Sequence, residues 1–156
     1  MLLAVALVLP AAAHAKELKG AKACGASGCA NITKASWRYA AIGGDTTTDA
    51  PPATPYYAVT FLIGEPGPPA ENRFTMYYVP SRHVVAADGI EPGALSWFPV
   101  VGAVANRWVA RTTAGLTPFP APRRWPHTIQ SPRKLMREAA GKVDARRPRS
   151  PARMHP

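Results

Sequence analysis

The sequence predicts a small α+β domain: an antiparallel sheet of four or five short strands carrying one or two helices, followed by a disordered basic tail. Three observations carry that prediction. Two runs within residues 56–79 alternate in side-chain character, a helical apolar stripe follows near residues 101–108, and positive charge crowds into residues 123–156.

The first strand of the central pair is Tyr56-Tyr57-Ala58-Val59-Thr60-Phe61-Leu62-Ile63, rich in the aromatic and β-branched residues that suit a pleated surface. Its odd positions are all apolar, and its even ones include Ala58 and Thr60. Residues 64–72, with three prolines and two glycines, end that strand. In the second run, Arg73 to Val79, Phe74, Met76 and Tyr78 share one face against Arg73, Thr75 and Tyr77. The pair reads as an antiparallel hairpin with one buried face.

At the start of the chain, residues 2–13 are apolar, broken only by Pro10, and lead to Ala13-His14-Ala15. An apolar run followed by small residues at −3 and −1 is the pattern of a cleaved secretory signal, although no Lys or Arg precedes it. The run is well short of the roughly 20 residues that span a bilayer as a helix. Export is therefore expected, to an extracellular or envelope-associated location. Cleavage after Ala15 would leave 141 of the 156 residues, starting at Lys16, enough for one domain.

Lys16 to Cys24 and Ala30 to Thr33 are short β-like runs on either side of Cys24-Gly25-Ala26-Ser27-Gly28-Cys29. Four small residues between two cysteines make a tight turn, and in an exported protein the expected outcome is a Cys24–Cys29 disulfide. A zinc site would need two further ligands, and neither a Cys-x-x-Cys motif nor paired histidines supply them. No metal and no cofactor are expected.

Thr33 is placed to cap a short helix over residues 34–42, with Trp37, Ala40 and Ala41 on one face and Gly43-Gly44 as its stop. Asn31-Ile32-Thr33 matches a glycosylation sequon, and residues 45–55 read as a loop. After the hairpin, Pro80-Ser81-Arg82 turns the chain and His83 to Ala87 suggests a short strand ending at Asp88-Gly89. Ser96 is then placed to cap a helix with Trp97, Phe98 and Pro99 in its first turn. Val101, Val104, Ala105 and Trp108 fall at i, i+3, i+4 and i+7, a core-facing stripe. Gly115 stands where that helix would stop. Residues 116–122 hold too much proline for regular structure, with Phe119 positioned to tuck onto the domain.

Four features resemble small exported proteins of unknown function from high-GC Gram-positive bacteria. They are the Cys24-Gly25-Ala26 turn, Tyr78-Val79-Pro80-Ser81, Trp97, and the stretch from Gly115 to Pro122. The resemblance covers residues 16–122 and implies an exported domain; it carries over no active site.

Few constellations suggest chemistry. Ser81, His83 and Asp88 lie close in sequence and include a candidate nucleophile, base and orienting acid for a small secreted hydrolase. No G-x-S-x-G elbow surrounds Ser81. The acids Glu65, Asp88 and Glu91 sit beside Gly or Pro, where carboxylates solubilise turns. Phosphate-cradling and dinucleotide-binding glycine loops are absent from the sequence.

From Arg123 onward ten Lys/Arg face Glu138 and Asp144, a balance of +8, whereas residues 16–122 carry nine against seven acids. Arg123, Arg124, Arg133, Lys134, Arg146, Arg147 and Arg149 are the candidate polyanion-binding residues. The segment is expected to stay disordered, with one passing helical turn near Leu135 to Ala140 and with Trp125 available to a membrane interface. The expected partners are anionic envelope polymers or lipid head groups, with no specific nucleic acid and no identifiable small-molecule ligand. A cytoplasmic nucleic-acid binder is the reading that remains if residues 1–15 are no signal. The leading expectation is a non-catalytic exported protein held at the anionic envelope by its tail; the alternative is a hydrolase using Ser81 and His83.

Overall fold

Among the described residues every strand lies at or before Pro99, and both α-helices come after it. In the computed structural model, which describes residues 17–32, 46–64, 71–89, 93–100 and 103–144, six strands form one antiparallel sheet. They are β1 (Glu17–Gly25), β2 (Gly28–Asn31), β3 (Tyr57–Gly64), β4 (Glu71–Val79), β5 (Val84–Asp88) and β6 (Leu95–Pro99), in the spatial order β2-β1-β3-β4-β5-β6. Two helices follow, α1 (Ala103–Thr113) and α2 (Pro132–Asp144). The fold is α+β as expected, with one strand more than the four or five anticipated.

The additional strand is β6, where the sequence suggested the start of a helix. Trp97 and Phe98 pair with Ala86 and Val85 of β5, so bulky aromatic side chains meet small or branched partners across the ladder. Pro99 is tolerated because it closes a strand at the margin of the sheet. The Trp97 carbonyl also accepts the Thr48 N–H at 2.8 Å, which covers part of that margin. Helix α1 consequently begins only at Ala103. Trp108 and Val109 form its buried side, while Val104, expected in the stripe, is 48% exposed. The side chains of Val101 and Ala105 lie outside the described residues.

The central hairpin is as expected, with Tyr57 opposite Tyr78, Val59 opposite Met76 and Phe61 opposite Phe74. Its expected single buried face is corrected, because both faces are covered. On the first face Tyr57, Val59, Phe61, Met76 and Tyr78 pack with Trp108 and Val109 of α1. On the second, Tyr56, Ala58, Tyr77, Val79 and Trp97 pack with Phe119 and with Leu135 of α2. A six-stranded sheet alternating between two apolar faces leaves one face bare if only α1 follows. The C-terminal segment supplies the second cover.

That cover overturns the expectation that the chain is disordered from Arg123 onward, as far as Asp144. The chain reaches the second face past the β1–β2 turn, where Ala26 donates its N–H to the Thr117 carbonyl and Thr117 donates its own to Ser27 Oγ, both at 2.8 Å. A Cβ at Gly25 would run into that carbonyl, so the approach requires glycine there. Phe119 and Tyr56 then exchange backbone hydrogen bonds. Trp125, Ile129, Leu135, Met136 and Ala139 all pack onto the second face. They are few and scattered among prolines and basic residues, but the sheet provides a continuous apolar partner for each. Ser131 accepts at the start of α2 and Pro132 opens it. The expected helical turn is thus a 13-residue helix, and the domain boundary at Pro122 does not hold.

Cys24 and Cys29 face each other directly across β1 and β2, with Cα atoms 4.0 Å apart, and are joined in the expected disulfide. The two-residue turn between the strands is Ala26-Ser27, and Gly28 takes a φ of +138° there. The leader at residues 1–15, the helix expected over residues 34–42, the sequon's Thr33, and Arg146, Arg147 and Arg149 lie outside the described residues.

Candidate functional site

The second face is where the described structure concentrates charge. Arg123, Arg124, Arg133, Lys134, Arg137 and Lys142 are all exposed on the C-terminal cover, against Glu138. Helical periodicity separates the two jobs of α2. Leu135, Met136 and Ala139 turn towards the sheet, leaving Arg133, Lys134 and Arg137 on the solvent side. Arg133 and Arg137 stand one turn apart, a like-charge placement that costs an isolated helix about 0.2–0.5 kcal/mol. Burial of the opposite side offsets that cost.

Hydrogen bonds hold this basic segment in register with the sheet. Trp125 donates its indole N–H to the Pro51 carbonyl at 2.7 Å. The Asp88 carboxylate accepts the Ile129 N–H, and the Tyr77 hydroxyl accepts the Gln130 N–H, each at 2.7 Å. Trp125 also packs among Tyr56, Tyr77 and Trp97, with ring centroids 5.4, 6.4 and 4.8 Å away. It is therefore partly buried and packed against the aromatic cluster of the second face. The large apolar side chains that are exposed among the described residues, Phe74 and Val104, belong to the opposite face. Among the described residues no helix is long and apolar enough to cross a membrane.

Between the strap of residues 119–126 and α2 lies an open cleft of about 370 Å³. Tyr56 and Phe119 contribute its aromatic lining, Leu135 adds an aliphatic patch, and Arg123, Arg124 and Lys142 surround it with positive charge. Tyr56 is only 5% exposed. Burial, reinforced by Tyr77 and Glu138 nearby, pushes its phenol well above the ordinary tyrosine range, so the group remains a neutral O–H donor.

Ser81, His83 and Asp88 are not assembled into a catalytic unit. Ser81 lies in a 3-10 turn (Pro80–Arg82) and shares a hydrogen bond with Thr54, Oγ to Oγ1 at 3.3 Å. His83 follows in a left-handed conformation, φ 52°, so the two do not alternate as in a strand. Asn106 donates to the Val100 carbonyl and its Oδ1 accepts the His83 Nδ1–H at 2.9 Å. Asp88 closes β5 at the other end, about 16 Å from His83 at roughly 3.3 Å per extended residue. It is already bound to Ile129. Among the described residues no group of three or more His, Cys, Asp or Glu is placed to hold a metal ion.

Sequence reasoning placed Arg123, Arg124, Arg133 and Lys134 in the basic segment, and the structure brings them onto one folded face. It missed Tyr56, Arg137 and Lys142. The first looked like a hairpin core residue, and the other two acquire a position only once α2 is seen as a full helix. Compared with known proteins, the chain matches no family model, no curated protein and no solved structure.

Proposed function

We propose that this is a non-catalytic exported protein whose C-terminal cover binds a polyanion of the cell envelope. One observation carries the reading: six exposed Lys and Arg side chains are displayed on a segment whose apolar residues are locked into the sheet. A fixed array loses less conformational freedom on binding than a floating tail, and neutralising a polyanion releases its counterions. The basic face has no exposed large apolar side chain among the described residues, which favours a hydrated anionic polymer over insertion into a bilayer.

The experiment compares wild type with Arg133→Gln/Lys134→Gln/Arg137→Gln on a poly(glycerol phosphate) polymer and on phosphatidylglycerol vesicles, at low and high salt. Expected is salt-sensitive binding to the polymer, reduced by roughly tenfold or more in the triple variant and with a shallower salt slope. Binding that is indifferent to salt, or equal for the two proteins, rules the reading out. A clear preference for vesicles moves the partner from wall polymer to lipid head groups.

A further inference from the structure

We propose that the cleft between the 119–126 strap and α2 is a binding site for a small monoanion with an apolar body, an aryl or acyl carboxylate. This goes beyond polyanion binding, for which Arg133, Lys134 and Arg137 on the solvent side of α2 supply cations that do not line the cleft. The volume, about 370 Å³, falls in the range of small-molecule sites. Its lining divides by chemistry. Phe119, Leu135 and the Tyr56 ring offer apolar surface, while Arg123, Arg124 and Lys142 outnumber Glu138 and leave an excess of two positive charges. An anionic head with an apolar body satisfies both halves, and an arginine guanidinium suits a carboxylate by its planar fork.

Tyr56 is the second observation. The residue is 5% exposed and lines the cleft, yet its hydroxyl makes no hydrogen bond among the described residues. The oxygen is not sealed in the core but opens towards the cleft, where a molecule could reach it. Its neighbour Tyr77 shows the contrast, since that hydroxyl accepts from Gln130. A ligand carboxylate entering between the arginines would accept the Tyr56 O–H. The hollow of about 210 Å³ over Lys22, Thr60 and Arg73 lacks such a feature, because the Thr60 hydroxyl is already bonded to Thr75 at 3.0 Å.

The test is calorimetric titration of the full chain with a panel of six- to ten-carbon carboxylates, among them phenylacetate, hexanoate and decanoate, beside the matching neutral alcohols. Expected is saturable binding of at least one carboxylate, with its alcohol at least tenfold weaker. Tyr56→Phe keeps the ring and should weaken that carboxylate by about tenfold through loss of one hydrogen bond to a charged group. Arg123→Gln/Arg124→Gln should weaken it further. Neither variant should alter the apparent melting temperature by more than a few degrees, which separates lost binding from lost folding. No binding across the panel, equal binding of acids and alcohols, or a Tyr56→Phe protein with wild-type affinity each overturns the proposal. Polymer binding through Arg133, Lys134 and Arg137 is read separately, so either reading can fail alone.

Discussion

Trp125 meets Trp97 edge to face, ring centroids 4.8 Å apart, although helix α1, packed on the opposite face of the sheet, lies between them in the chain. This contact fastens the C-terminal segment to β6 and turns a basic stretch into part of the domain. Trp125→Ala should cost about 3 kcal/mol, measured by urea unfolding, because it removes a large ring from three aromatic neighbours and a bond to Pro51. Truncation after Pro122 should lower the melting temperature as well. A loss under about 1 kcal/mol in Trp125→Ala would show that the cover contributes little to folding.

Gly25→Ala tests the crossing between faces. The added methyl meets the Thr117 carbonyl, and that carbonyl is held by Ala26, so the backbone has little room to yield. The expected loss is about 1–3 kcal/mol by chemical denaturation. Gly28→Ala should also destabilise, for a different reason: space is open there, but φ is +138°.

The Cys24–Cys29 bond closes a short loop between directly paired residues. Thiol titration of the unreduced protein in denaturant should detect no free thiol. Cys24→Ala/Cys29→Ala should stay folded with a loss of about 2 kcal/mol, since short loops gain little from closure.

Alkali should unfold the protein earlier than carboxylate or lysine titration alone would suggest. Burial raises the phenols of Tyr56, Tyr77 and Tyr78 above their value in an unfolded chain. Below about pH 10 all three are protonated in both states, and their contribution is fully present. As pH rises further the unfolded chain ionises first, so stability falls progressively until the folded groups titrate too. Tyr56→Phe should flatten the decline above pH 10 in urea-unfolding series; an unchanged slope would contradict the burial of this phenol.

A serine-directed active-site probe should leave Ser81 unmodified. His83 is engaged by Asn106 and Asp88 by Ile129, so neither base nor orienting acid is directed at the hydroxyl. Stoichiometric labelling that disappears in His83→Ala would restore the hydrolase reading.

Local pattern was enough to reveal the β3–β4 hairpin, the cysteine turn and the α+β class. Period-two alternation, turn residues and paired cysteines act between neighbours in the chain, where sequence spacing is spatial spacing. The same reasoning failed at Ser96 to Pro99, where capping and proline signals suit a helix start. Pairing with Val85 and Ala86 overrode them, and no local feature announces a partner strand. It failed again from Arg123 to Asp144, because low apolar content argues for disorder only when a segment must build its own core. Trp125, Ile129 and Leu135 had no need to, since β3, β4 and β6 already presented a bare apolar face. The cleft at Tyr56 has the same origin. Residues from β3's leading edge, the strap and α2 surround one volume, and their placement follows from which face of the sheet remained uncovered.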